Sequence, residues 1–142
     1  MTEIKEKRII ISSVLENLLP SGLCDGESER AQSSGDGFLK ITDGEYNITL
    51  CENTEGGAVT TDILITDGSI RVKRTGAIAS EMVFCEGLLH KSLYGVPPYS
   101  FDCEITTRKI RNNLTRDGGR LDIFYDMKIG GAEKRVKMRI EC

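Results

Sequence analysis

The chain has 142 residues, of which 39% are hydrophobic and 29% charged, with a formal net charge of −3. This composition is typical of a folded globular protein and excludes a disordered chain. No apolar run approaches the roughly 20 residues of a spanning helix, and "MTEIKEKR" lacks the features of a secretory signal. We therefore expect residues 1–142 to form a single domain with a sizeable core, located in the cytoplasm and without a membrane partner.

The cysteines are odd in number and widely spaced, and no C-x-x-C pair occurs: Cys24, Cys51, Cys85, Cys103 and Cys142. This spacing fits neither a disulfide framework nor a zinc site. We expect free thiols, no metal and no cofactor.

Near the N-terminus, "SVLENLL" at residues 13–19 predicts a helical turn, and "CEGLLHKSLYG" at 85–95 predicts a second one. Residues 20–37 are polar and rich in glycine. This stretch indicates either a loop or a weak, solvated edge strand, because too little chain precedes it to make a separate domain.

Strands and tight turns are predicted from residue 41 onwards. The phrase "ITDG" occurs at 41–44 and again at 65–68, each time followed by alternating apolar and polar residues. Asp-Gly between such runs is a strong signal for a two-residue hairpin turn, and two-residue turns join antiparallel neighbours. Further glycine-rich turns are predicted at 56–57, 117–119 and 130–131. The chain should therefore form an antiparallel meander.

The number of predicted strands favours a closed barrel. About nine strands without a long helical pattern make a sheet that curls readily, and closure removes its exposed edges. We predict an all-β fold, a single antiparallel meander closed into a β-barrel of about 8–10 strands with at most a short helix or helical turn.

Two motifs occur in order within this meander: Arg74-Thr75-Gly76 in "RVKRTGAIASEMVF", and Gly119-x-Leu121-x-Ile123-x-Tyr125-Asp126-Met127, followed by the closing "RVKMRIEC". Together they resemble the YwiB-like family of small bacterial proteins of unknown function over roughly residues 36–142. The resemblance implies a lipocalin-like (calycin) β-barrel. Because the family has no established activity, it implies no function.

Catalytic signatures are missing from the sequence. His90 is the single histidine, and no G-x-S-x-G elbow, metal-binding histidine spacing or phosphate-binding glycine loop accompanies it. The carboxylates fall in turns or opposite the apolar faces of the strands. We expect a protein that is not an enzyme.

The interior of the barrel is the candidate binding site. Residues two apart in a strand share a face, so Ile70 and Val72 place Arg74 inside. A buried guanidinium must be paired or hydrated. Arg74 could hold an anionic head group, mark a bulge at the end of a strand, or form an ion pair that plugs one end. The remaining candidates could line a cavity for a small amphipathic or anionic ligand, or could fill the core: Ser80, Met82, Phe84, Tyr99, Phe101 and Tyr125.

The outer wall provides an alternative function. Residues 1–67 carry 13 acids and 5 bases, whereas residues 68–142 carry 9 acids and 14 bases. Arg71, Lys73, Arg108, Lys137 and Arg139 face outward by parity, as does Phe124, and could form a nucleic-acid surface. The acidic pI of about 5.3 argues against nucleic acid and favours cross-strand salt bridges with Glu104, Asp122 and Asp126. An exposed edge at 26–41 could pair with another protein chain, and a homo-oligomer is a further possibility.

Overall fold

The computed structural model describes residues 2–142, which form ten strands and no helix, and hence no helix that could cross a membrane. The strands are β1 Thr2–Leu18, β2 Cys24–Thr42, β3 Glu45–Thr54, β4 Gly57–Thr66, β5 Ser69–Gly76, β6 Ala79–Phe84, β7 Leu89–Gly95, β8 Phe101–Thr115, β9 Gly118–Ile129 and β10 Ala132–Glu141. Each strand pairs antiparallel with the next, and β10 pairs with β1 to close the barrel. The prediction of a closed antiparallel meander is confirmed.

The two Asp-Gly turns connect strands as predicted. In the first turn, Asp43 and Gly44 have φ values of 48° and 82°, so both central residues adopt the left-handed conformation that a type I′ turn requires. In the second, Gly68 has a φ of 82° while Asp67 keeps a negative φ. Both turns are tight, and they fix the register of β2 with β3 and of β4 with β5.

The barrel has two ends of different character. The turns after β1, β3, β5, β7 and β9 lie at one end, here called the upper end, and the remaining turns lie at the lower end. Large apolar side chains fill the lower half: Ile41, Ile48, Ile65, Ile70, Phe84, Leu121 and Ile140. Burial of these side chains provides the main driving force for folding.

Both predicted helical turns are wrong. Residues 13–18 belong to β1, where residues 10–16 pair with β10 on one side and with β2 on the other. Residues 89–95 form β7, which pairs with β8. Leucines at helical spacing suggested helices locally, but the two-sided hydrogen-bond ladders of a closed barrel outweigh that local preference.

The polar stretch at 20–37 is mostly a strand. A turn over residues 19–23 leads into β2. Residues 24 and 28–36 pair with β1 only, with an irregularity between them, while residues 37–42 pair with both β1 and β3. Of the two predicted alternatives, the loop is therefore wrong from Cys24 onwards, and the structure has an edge strand. We refer to residues 24–36 as the edge segment.

One seam of the barrel wall is short. β6 and β7 pair at two positions, Ala79 with Gly95 and Ser80 with Tyr94, whereas β8 and β9 pair over most of their length. Both pairs lie at the upper end, so the polar side chains near the seam are held at that end of the barrel.

Candidate ligand-binding cavity

A cavity of about 360 Å³ lies in the upper half of the barrel. This volume is within the range of about 300–1,000 Å³ that is usual for small-molecule sites. Its walls come from both sides of the barrel: Ile11, Ser13, Leu15, Glu29, Ala31, Gln32, Ser33, Arg74, Met82, Tyr94, Tyr125, Met127, Ile129, Lys134, Val136 and Met138. The interior is thus filled below and hollow above.

Four inward-facing polar residues lie side by side across the strands at this level. Thr61 on β4 is paired with Arg74 on β5, Arg74 with Ser80 on β6, and Ser80 with Tyr94 on β7. Directly opposed residues on neighbouring strands have Cβ atoms about 4.5–5.5 Å apart. We call this row the polar arc. It results from the alternation of each strand together with the register that the turns impose.

The polar arc contains buried atoms that lack hydrogen-bond partners. Thr61 Oγ1, Arg74 Nε and Ser80 Oγ are all buried and unpaired in the described part of the chain. Buried polar atoms are nearly always paired with protein or water, because an unpaired one keeps its full desolvation cost. Three such atoms in one row mark a place where a polar group from outside the chain can bind.

Arg74 carries the positive charge of the polar arc. Within residues 2–142 its side chain takes part in none of the hydrogen bonds or ion pairs, so the predicted alternative of an ion pair that plugs the barrel is not what the structure has. A guanidinium presents a planar set of donors that matches a carboxylate or phosphate. Arg74 is therefore suited to an anionic group.

Tyr125 forms the floor of the cavity. Its side chain is 4% exposed, and burial raises the pKa of its phenol well above the usual value, while the positive charge of Arg74 opposes that rise. Its ring packs against Phe84, with 4.8 Å between the ring centroids. A neutral phenol beside Arg74 can donate a hydrogen bond to an anion that Arg74 binds.

The rest of the cavity wall is apolar and adaptable. Met82, Met127 and Met138 come from three different strands, and Ile11, Leu15 and Val136 complete this side. Methionine side chains are flexible and polarisable, which suits binding of apolar groups of varied shape. Above them, Lys134 Nζ lies 3.8 Å from Glu29 Oε2 at the rim.

Five of the seven predicted site residues lie at this cavity or next to it. Arg74, Met82 and Tyr125 line it, Ser80 belongs to the polar arc, and Phe84 packs beneath Tyr125. The structure therefore brings these five side chains together.

The inward placement of Tyr99 and Phe101 is wrong. Their side chains are 72% and 55% exposed. Tyr99 lies in the connection between β7 and β8, and Phe101 begins β8 two residues before β8 and β9 start to pair, at Cys103 and Ile129. Parity is correct along β8, where Cys103, Ile105 and Thr107 are buried, but Phe101 pairs only with Tyr94 of β7 and lies beyond the end of β9.

Sequence reasoning missed Thr61, Tyr94 and the residues of the edge segment. Tyr94 falls in the predicted helical turn at 85–95, although the segment alternates as a strand does. His90, Ser92 and Tyr94 are partly buried, while the residues between them are exposed. Thr61 alternates with Val59, Ile63 and Ile65, which are buried on the same face of β4, and nothing local separates it from that apolar face. The edge segment has no apolar pattern from which its position could be found.

The chain matches a family profile, a relative and a solved structure, and none of the three descriptions assigns a function. A family profile described as a domain of unknown function, DUF1934, matches residues 23–140. The chain is 24% identical over 126 residues to the uncharacterized β-barrel protein YwiB of Bacillus subtilis (strain 168), covering 89% of this chain and 84% of that protein. The crystal structure of the ywiB protein from Bacillus subtilis matches with a TM-score of 0.79 at 25% identity, over 97% of this chain and 92% of that one.

Proposed function

Since the chain belongs to the DUF1934 family, a domain of unknown function, we propose a function from the cavity: the protein binds a small amphipathic molecule that carries an anionic group. The observation that carries the proposal is the row of unpaired buried atoms, Arg74 Nε, Ser80 Oγ and Thr61 Oγ1, beside the cavity. These atoms gain partners when a carboxylate or phosphate lies against Arg74 and accepts a hydrogen bond from each hydroxyl.

The apolar part of the ligand lies among the methionines. Met82, Met127 and Met138 face the same space as Arg74, so a molecule whose charged group reaches the polar arc leaves its hydrocarbon part in this wall. Burial of apolar surface contributes about 25 cal/mol per Å², while the charged group determines the orientation. The proposed ligand is therefore an acid with a hydrocarbon chain or ring rather than a sugar or a nucleotide.

In this proposal the protein binds its ligand without catalysing a reaction. We also propose a cytoplasmic location. Its support is the cysteines, all five of which carry free thiols, the state that a reducing compartment maintains.

Titration calorimetry with decanoate, decyl phosphate and 1-decanol tests the proposal. We expect the two anions to bind and Arg74→Met to weaken their binding by at least about tenfold, the scale of one lost charge-assisted hydrogen bond, while decanol is affected little. Arg71→Met is the matched control, because Arg71 lies on the outer face of the same strand and pairs with Glu81. The proposal is overturned if none of the three amphiphiles binds, or if the two variants weaken anion binding equally.

A further inference from the structure

The outer wall carries a band of positive charge that crosses five strands. The registers of β8, β9, β10, β1 and β2 place five outward-facing residues in one row, ordered Lys109, Phe124, Lys137, Val14 and Arg30. The next row is ordered Arg111, Asp122, Arg139, Ser12 and Gln32. We call these two rows the basic stripe.

The basic stripe has a large charge excess for a chain of net charge −3. It contains five cations and one carboxylate, Asp122, which gives a formal charge of +4 from the registers above. Asp122 is 3% exposed and lies beneath the guanidinium of Arg139, with Nε and Oδ1 separated by 2.9 Å. What the stripe presents to solvent is therefore almost entirely positive.

The neighbouring rows are different. On one side the row contains Arg120 and Glu141, and on the other side it contains Arg135, Asp126 and Glu16, with Arg108 at the adjacent bulge. Arg108 and Arg135 both pair with Asp126. Each flanking row is close to neutral by formal charge, so the positive potential is confined to a narrow band across the strands.

Cross-strand salt bridges, predicted from the sequence, exist on this wall but do not neutralise the basic stripe. Arg139 pairs with Asp122 as predicted, whereas Arg30, Lys109, Arg111 and Lys137 form no ion pair within residues 2–142. The predicted members Arg71 and Lys73 lie on β5, which belongs to another part of the wall.

An aromatic ring and a concavity lie within the basic stripe. Phe124 is partly exposed, and the Arg111 guanidinium and the Lys137 ammonium lie 5.6 Å and 5.4 Å from its ring centroid. A concavity of about 420 Å³ lies between Arg30, Lys137 and Arg139 over Ser12, Val14 and Gln32. Cations surround this depression, and the hydroxyl and amide groups of Ser12 and Gln32 provide further hydrogen-bond donors.

We propose that the basic stripe binds single-stranded RNA. Five adjacent strands cover about 19 Å at the usual spacing of about 4.8 Å, so the stripe can follow several consecutive phosphates. The cations contact the backbone, a phosphate occupies the concavity, and one base stacks beside Phe124, the combination by which sheet surfaces hold single strands. The site is on the outer wall. Ser13, Ala31 and Gln32 border both this concavity and the cavity inside the barrel, but none of the cations of the stripe lines the interior cavity.

The proposal of RNA binding is tested by fluorescence anisotropy with a labelled oligomer of about twelve uridines, over a KCl series from about 50 to 200 mM. We expect log K to fall linearly with log salt, with a slope of roughly −2 to −3 for the release of three or four counterions. The paired substitution Arg30→Glu with Lys137→Glu should reduce affinity by at least about tenfold and flatten the slope.

The matched control is Lys40→Glu with Lys73→Glu, which changes the net charge equally on exposed outward positions of β2 and β5 outside the stripe. The control variant should retain most of the affinity for the RNA oligomer. Phe124→Leu should weaken binding by roughly tenfold without changing the slope, because stacking involves no counterion. Circular dichroism spectra should be unchanged in the stripe variants, which confirms that they fold. Calorimetry with decanoate should also be unchanged, which separates this site from the one proposed in the cavity.

Three results would overturn the proposal. The first is an absence of salt-dependent binding at about 50 mM KCl. The second is an equal loss of affinity in the stripe variant and the control, which would indicate diffuse attraction. The third is that inorganic polyphosphate or anionic phospholipid vesicles bind as tightly as the RNA while Phe124→Leu leaves the RNA affinity unchanged. That combination would indicate a surface that binds any polyanion.

Discussion

The rings of Phe84 and Tyr125 pack against each other with 4.8 Å between their centroids and an angle of 53° between their planes. Phe84 is the largest fully buried side chain and ends β6 at the lower end of the barrel, whereas Tyr125 faces the cavity above. This aromatic pair therefore separates the filled half of the interior from the hollow half, and it supports the floor on which the proposed ligand rests.

Phe84→Ala should destabilise the protein by about 3–5 kcal/mol, because it removes a fully buried ring and leaves a void between the two halves of the interior. Phe101→Ala is the matched control, because the same side chain is mostly exposed at that position, and its effect should stay within about 0.5 kcal/mol. Urea unfolding followed by circular dichroism measures both values. Equal losses of stability would contradict the assigned burial.

Tyr125→Phe should make stability less dependent on pH under alkaline conditions. Burial raises the pKa of Tyr125 above its usual value of 10.0, so above about pH 10 the unfolded chain loses this proton while the folded chain keeps it. The stability that the neutral, buried phenol contributes is fully present below pH 10 and is lost as the pH rises further. The free energy of unfolding between about pH 9 and 11 should fall more steeply for the wild type than for Tyr125→Phe.

The control for that measurement is Tyr99→Phe. Tyr99 is largely exposed, so the slope of its variant should match that of the wild type. If Tyr125→Phe and the wild type had the same slope, the phenol would not be held in its neutral form by burial.

Gly37→Ala should destabilise the protein by about 1–3 kcal/mol or more, the range for overpacking. At Gly37 a Cβ atom would collide with the backbone oxygen of Thr49 and with Cδ1 of Ile9, where β2 passes between β1 and β3. Gly56→Ala is the control, because the nearest atoms to its Cβ would be 3.9 Å away. Thermal unfolding should show a lower Tm for Gly37→Ala but not for Gly56→Ala. A similar decrease in Tm for Gly56→Ala would contradict the steric explanation.

The thiols should differ in their reactivity. Cys51 is exposed, whereas Cys103 is buried within the wall of the barrel, and burial raises the pKa of the Cys103 thiol. Because the thiolate is the reactive form, an aromatic disulfide reagent at neutral pH should modify Cys51 rapidly and Cys103 only on unfolding. Mass spectrometry of the early product identifies the modified residue, and early modification of Cys103 would contradict its burial.

Much of the fold could be predicted because strand signals are local. Asp-Gly turns and alternation of apolar residues depend on neighbours within a few positions, so the meander and its closure follow from them. The same alternation places Arg74, Met82 and Tyr125 at the inner face. Leucine spacing in "SVLENLL" and "CEGLLHKSLYG" is equally local, but there the pairing of β1 with the distant β10, and of β7 with β8, determined the conformation.

The sequence by itself determined which faces of the strands point inward, because side chains alternate with a period of two whatever the partner strand is. The tertiary structure decided how deep each inward position lies, and depth depends on where the neighbouring strands end. Phe101 is exposed for this reason while Cys103 on the same face is buried. The basic stripe likewise arises only when registers across five strands bring Lys109 into one row with Arg30, since no short-range pattern records which residues of distant strands lie opposite one another.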